Sequence, residues 1–207
     1  MDFLDFHHHK ISKAGIYNLN FGEQIPKQTF SVGLHPKDIT KNWRSDFETI
    51  KEISLSENCI AIGECGLDGL IDVDESLQTE IFKAHINWAE EIRKPVIIHC
   101  VRRFSQLLKF KNAKAPLIIH GFNKKKNIAD EMRNAGFFLS FGKAVSENLS
   151  LQKIVADFPI SKMFLETDDS DFDIVKLYEK TAEIKSVSIE QLKIQMWENL
   201  GNIINYE

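Results

Sequence analysis

The sequence is poor in the features that usually assign a protein early. Cys59, Cys65 and Cys100 are the only cysteines in 207 residues; they cannot all pair, have no zinc-finger spacing, and suit a reducing compartment. No apolar run is long enough to span a bilayer, and no charged-then-apolar leader pattern opens the chain. A cytoplasmic protein with no membrane attachment is therefore expected. Neither sign of charge dominates: 26 Lys and Arg against 30 Asp and Glu give a formal net charge of −4. That balance argues against broad adhesion to nucleic acid or anionic lipid, while leaving room for one local basic patch. A serine nucleophile elbow and a Gly-rich phosphate loop are both missing, which removes two common chemistries. There is no low-complexity stretch, no short repeat and no linker rich in Gly, Pro or Ser, so residues 1–207 are expected to form a single domain.

What the chain does have is a series of short apolar runs: DFLDFH, GIYNLNF, TFSVGLH, CIAIGECGL, KPVIIHC, APLIIHG, GFFLSFG and KMFLETD. Several lack polar alternation, as strands buried on both faces of a parallel sheet do. From the third onward, helical patterns separate them. The stretch Glu75 to Arg93 is long and amphipathic, Asn123 can cap a helix that Gly136 ends, and Ser188 with Gln191 makes a capping-box pattern. Eight strands alternating with helices predict an α/β fold, a TIM-type (β/α)8 barrel. Only residues 9–14 and 22–28 separate the first three strands, whereas a parallel crossover takes about a dozen residues or more. The barrel is thus expected to be trimmed or distorted, with the first outer helices missing or very short. A wall without its helix would expose apolar surface, a basis for a homodimer contact.

The informative pattern is where metal-capable side chains fall. His7 and His9 end the first run, His35 the third, His99 the fifth and His120 the sixth; Glu64 lies near the end of the fourth and Asp168 of the eighth. In a parallel barrel these ends converge on one mouth, where catalytic groups gather. Any one such histidine reads as a hydrogen-bonded core or loop residue. Six of seven histidines at strand ends, with only His85 on a helix, do not. The triple His7-His8-His9 is accordingly read as a strand end rather than a purification tag. Alternation puts His7, His9 and Asp5 on one face and turns His8 outward, away from the site. Imidazoles with carboxylates suit zinc, and also manganese or nickel, with magnesium a further choice. Their number exceeds what one hydrolytic ion uses, so two divalent metal ions are expected, activating a water for attack on phosphorus or carbonyl carbon.

In order along the chain, LDFHHH, VGLHP, AIGECGLD, KPVIIHC, PLIIHGF, FFLSFG and FLETD, with MWENLGNII closing, resemble the TatD family of metal-dependent deoxyribonucleases, within the amidohydrolase-like barrels. The resemblance implies one metal held by His7, His9, Glu64 and Asp168, and a second held by Glu64, His99 and His120. Glu64 would bridge, and Asp168 would orient or deprotonate the attacking water. It further implies hydrolysis of phosphodiester bonds in transiently bound DNA, with His35 a candidate contact to the phosphate; Arg102, displaced from the family position, and Lys124, in a run that reads equally as a solvated helix start, are the other candidate substrate contacts. Three places depart from the family pattern: Cys100-Val101 replaces Ser-Arg, Gly121 replaces the cysteine after His120, and Asp169-Ser170-Asp171-Phe172-Asp173 replaces a Ser-Pro-Tyr-type segment. The last adds negative charge near the mouth; Lys124, Lys125 and Lys126 oppose it. Rival readings are a small-molecule phosphatase, lactonase or amidase on the same ions, and a metal-binding scaffold without turnover. His85 reads as a surface or packing residue, Trp43, Trp88 and Trp197 as packing residues, and Cys65 and Cys100 as buried spectators turned away from the metals.

Overall fold

The computed structural model describes residues 2–10 and 14–206. Each apolar run forms a strand: β1 Asp5–His8, β2 Gly15–Leu19, β3 Phe30–Val32, β4 Cys59–Asp68, β5 Val96–Val101, β6 Leu117–Ile119, β7 Phe138–Phe141 and β8 Met163–Leu165. They pair in parallel and in sequence order as one eight-stranded sheet. The ring closes just past β8, where His8 bridges Asp168, the His7 carbonyl accepts from Asp168 N–H at 2.9 Å, and the Asp168 carbonyl accepts from His9 N–H at 3.2 Å. This is the TIM-type barrel the alternation of runs predicts.

The helices are α1 Trp43–Ser54, α2 Glu75–Glu91, α3 Phe104–Leu107, α4 Lys126–Asn134, α5 Ala144–Glu147, α6 Leu149–Asp157, α7 Ile174–Lys185 and α8 Ile189–Ile204. Their ends follow local chemistry. Asp74 accepts from the N–H groups of Ser76 and Leu77 to start α2, and Ser188 with Gln191 completes a capping box on α8. Asn123 does not cap α4. That helix starts three residues later behind Lys125, which makes no side-chain cap, and Asn123 instead accepts from Asn148 Nδ2 at 3.4 Å. Gly136 does end it, at a φ of +92°.

No helix lies between β1 and β2 among the described residues (11–13 of that connection fall outside them), and none between β2 and β3. The expected bare wall does not follow, because Phe6, Ile16, Leu19, Phe30 and Val32 are all buried. Trp43, Phe47 and Ile50 of α1 pack over β2 and β3. On the other flank, Tyr178 of α7 donates to the Leu4 carbonyl at 2.9 Å and Trp197 of α8 to the Asp2 carbonyl at 2.9 Å. Neighbouring helices therefore cover what absent ones would have covered. Each large side chain so buried contributes about 1.5–3 kcal/mol, enough to select this arrangement over an open wall. Of the trimmed region, Phe21 and Ile25 in the β2–β3 connection stay exposed, at 43% and 51%.

Candidate metal centre

Glu64 sits midway along β4 because the motif around it lets β4 and β5 approach closely. A Cβ on Gly63 would strike the Ile97 carbonyl oxygen, and one on Gly66 the His99 carbonyl oxygen; both glycines have positive φ. Only glycine satisfies both demands. Asn18 of β2, buried, accepts from the Glu64 N–H at 3.0 Å and fixes this stretch from the other side.

Around the Glu64 carboxylate the strand ends converge. Oε1 lies 2.7 Å from His99 Nδ1, 2.8 Å from His120 Nε2 and 3.4 Å from His35 Nε2. Oε2 lies 3.6 Å from His7 Nε2. Asp168 Oδ1 is 3.7 Å from the same His7 nitrogen and 3.4 Å from His9 Nε2. Four overlapping sets have ligand atoms within 4.8 Å of one another: His7-Glu64-His120, His7-His9-Asp168, His35-Glu64-His99 and His120-Glu166-Asp168. All six residues expected as ligands belong to at least one set. His7 is wholly buried and neither ring nitrogen has a hydrogen-bond partner. A buried imidazole left so is expensive unless something else takes its lone pair. With nitrogen and oxygen donors only, the group fits a divalent ion of the zinc, manganese or nickel kind.

A second layer sets the ring orientations. Asp68 Oδ2 is 3.1 Å from His99 Nε2; accepting that N–H would leave the Nδ1 lone pair free for a metal ion shared with Glu64. Asp68 is itself held: Oδ1 accepts from Leu70 N–H at 2.7 Å, and the Gln78 side chain bridges its backbone N–H and carbonyl. Glu166 is wholly buried; Oε1 accepts from Gly121 N–H at 2.5 Å and lies 3.5 Å from His120 Nδ1, while Oε2 has no hydrogen-bond partner. Thr167 clamps Asp5 through its N–H at 2.8 Å and its hydroxyl at 2.6 Å. Asp5 thus ties β1 to the β8 end rather than joining His7 and His9. His35 accepts from Lys37 N–H through Nδ1 at 3.0 Å, so a neutral ring carries its hydrogen on Nε2. That makes His35 a donor toward the group more readily than a ligand.

Electrostatics agree with the geometry. Burial alone would raise the Glu64 carboxyl, but His120, His35 and His7 together hold it well below the ordinary range. Burial opposes protonation of His120, yet Glu64 and Glu166 outweigh it and raise its pKa. Asp168 is held down to about 2, the burial effect being overcome by His9, His120 and His7. Both carboxylates are ionised at neutral pH.

The remaining expected residues divide. His8 turns away from the group as alternation requires, but into the protein: it is wholly buried, its ring centroid 6.2 Å from that of Tyr17. Arg102 and Lys124 are exposed, the latter with Nζ 6.0 Å from the Phe104 ring centroid. The acidic segment is partly committed, since Asp171 pairs with Lys10 and Asp173 caps α7, leaving Asp169 to line a cavity of about 210 Å³ beside Asp168 and Glu166. Cys65 and Cys100 are buried with thiol pKa values pushed up by that burial, Cys100 to about 12. Sequence reading missed Glu166, Asp68 and Asn18. For Glu166 the signal was there, two residues before Asp168 and so on the same face.

A parallel eight-stranded barrel with imidazoles and carboxylates crowded at one mouth is the architecture of the amidohydrolase-like barrels. The family model described as TatD related DNase matches residues 12–205, and the chain belongs to that family. Among curated relatives, an uncharacterized metal-dependent hydrolase YabD of Bacillus subtilis is 34% identical over 145 residues, covering 67% of this chain and 57% of that protein. The 3'-5' ssDNA/RNA exonuclease TatD of Citrobacter rodentium is 30% identical over 155 residues, covering 70% and 59%. The chain thus spans little more than half the length of these two relatives. Among solved structures, a TatD family hydrolase from Entamoeba histolytica superposes with a TM-score of 0.79 at 13% identity, covering 97% of both chains. The Escherichia coli TatD homologue YjjV gives 0.73 at 18%, covering 86% of this chain and 77% of that one.

Proposed function

We propose that residues 1–207 work as one divalent-metal-dependent hydrolase domain that cleaves phosphodiester bonds of DNA. The observation that carries this reading is the Glu64 carboxylate, buried, ionised and surrounded by four histidines at 2.7–3.6 Å. His7, His9, Glu64 and Asp168 would hold one ion; Glu64, His99 and His120 would hold a second, with Glu64 shared. Bound there, such ions, zinc first among the candidates, supply a Lewis acid and a water ionisable near neutral pH. Asp168, at the edge of the group and 39% exposed, would orient or deprotonate the attacking water. His35 Nε2–H, Arg102 and Lys124 contact the substrate phosphate. The choice of DNA draws on the nuclease name of the Citrobacter relative. Three buried free thiols favour a reducing, cytoplasmic setting.

One observation favours a small uncharged substrate instead, as a lactonase or amidase would use: Asp169 places a carboxylate in the cavity beside Asp168. Both readings meet in one experiment. The metal-reconstituted protein is assayed on a single-stranded oligodeoxynucleotide, bis(p-nitrophenyl) phosphate, p-nitrophenyl phosphate and a simple lactone. Chelator-sensitive cleavage of both diesters is expected. Turnover of the monoester or lactone with neither diester cleaved overturns the nuclease reading.

A further inference from the structure

The three lysines that follow His120 have different surroundings. Lys126 is neutralised, its Nζ 3.4 Å from carboxylate oxygens of both Asp130 and Asp157. Lys124 and Lys125 have no carboxylate partner among the described residues, nor do Lys143 before α5 and Lys153 on α6.

The lysines also share a surface. Between α4 and α6 runs a groove of about 520 Å³ edged by Asn123, Lys124, Lys125 and Ser150, with Ile128 and Leu151 as an apolar floor. A further hollow of about 260 Å³ continues from Lys125 and Ser150 to Lys153 and Ile154. At its other end Asn123 also lines the cavity that holds Glu166, Asp168 and Lys143. A path therefore leads from the reacting group along a strip of free ammonium groups. The α4 N-terminus opens onto this strip with no acidic residue in its first turn and no side-chain cap, which favours an anion there. The β8–α7 connection is acidic, but Asp171 pairs with Lys10 and Asp173 caps α7, and Asp169 shares its cavity with Lys143 and Asn123.

We propose that this α4–α6 groove holds the phosphates flanking the scissile bond of a single polynucleotide strand. The inference deepens the nuclease reading and rests on it for the identity of the strand. Ammonium groups on flexible stems suit a sequence-independent backbone contact, and the apolar floor can receive a base.

The test compares wild type with Lys125→Ala/Lys153→Ala, two exposed changes that leave the core untouched. KM for a twelve-residue oligothymidylate is expected to rise about tenfold, as two screened ion pairs are lost, while kcat/KM for bis(p-nitrophenyl) phosphate stays within about twofold. Binding of the same oligonucleotide to metal-free protein, read by fluorescence anisotropy, should lose about 0.7 from its log–log salt slope per missing contact. Equal kinetics and an unchanged salt slope overturn the groove; so does an equal loss on both substrates, because the lysines would then act on the reacting group. If wild type cleaves no diester the nuclease reading falls, and the anisotropy arm still decides the groove.

Discussion

In the seam between α2 and the chain entering His35, His85 is wholly buried with both ring nitrogens matched. Nε2 accepts from Leu34 N–H at 3.0 Å, and Nδ1 lies 2.8 Å from the Ile81 carbonyl, to which it donates. At the mouth, His7 is as deeply buried, yet its Nε2 faces two carboxylates at 3.6 and 3.7 Å and neither ring nitrogen has a hydrogen-bond partner. Burial drives His85 down to about 4, keeping it neutral, whereas carboxylates raise His120 against the same burial effect. The same side chain is a structural strut where its hydrogen bonds are complete. It is a candidate ligand where lone pairs converge without partners. Depth alone separates nothing; satisfaction does.

Three substitutions probe that contrast, in falling order of effect. Glu64→Ala removes the centre of the unsatisfied group, and should abolish binding of both ions and lower hydrolysis by about a thousandfold or more. Metal content measured by plasma mass spectrometry decides it, and unchanged stoichiometry would refute the shared-ligand assignment. Asp68→Ala frees the His99 ring and should weaken metal affinity about ten- to hundredfold, with partial recovery in Asp68→Asn, as followed by calorimetric titration. Equal affinities in all three proteins would show that Asp68 does not position the ring.

The smallest effect belongs to the satisfied histidine. His85→Phe leaves Leu34 N–H without its acceptor and should cost about 1–3 kcal/mol at pH 7. The pH dependence has a definite sign. His85 has a folded pKa near 4 against 6.5 for the ordinary ring, so the unfolded chain binds the proton more readily. Its stabilising contribution is complete above about pH 6.5 and is lost as pH falls toward 4, by about 3 kcal/mol in all. The gap between wild type and His85→Phe in urea melts should therefore narrow from pH 7 to pH 5. A gap independent of pH would mean that His85 is not held neutral.

The helical position of His85 left surface and packing both open, and nothing local pointed to the backbone N–H of Leu34, 51 positions away. Asn123 looked like a cap from its spacing, yet a contact with Asn148 from the next β/α unit claims it. Glu166 was hidden by sharing a motif with Asp168.

What the sequence by itself determined is the list of strands and which of them end in imidazole or carboxylate. Apolar runs, caps and turns act over a few residues and need no distant partner. Barrel closure decided the rest. It brought Asp168 beside His7 and His9, 161 and 159 positions away, aimed Asp68 and Glu166 at His99 and His120, and let α1 cover the trimmed wall. Those distances depend on strand register and on glycine-permitted approach between β4 and β5, properties of the closed sheet rather than of any one segment.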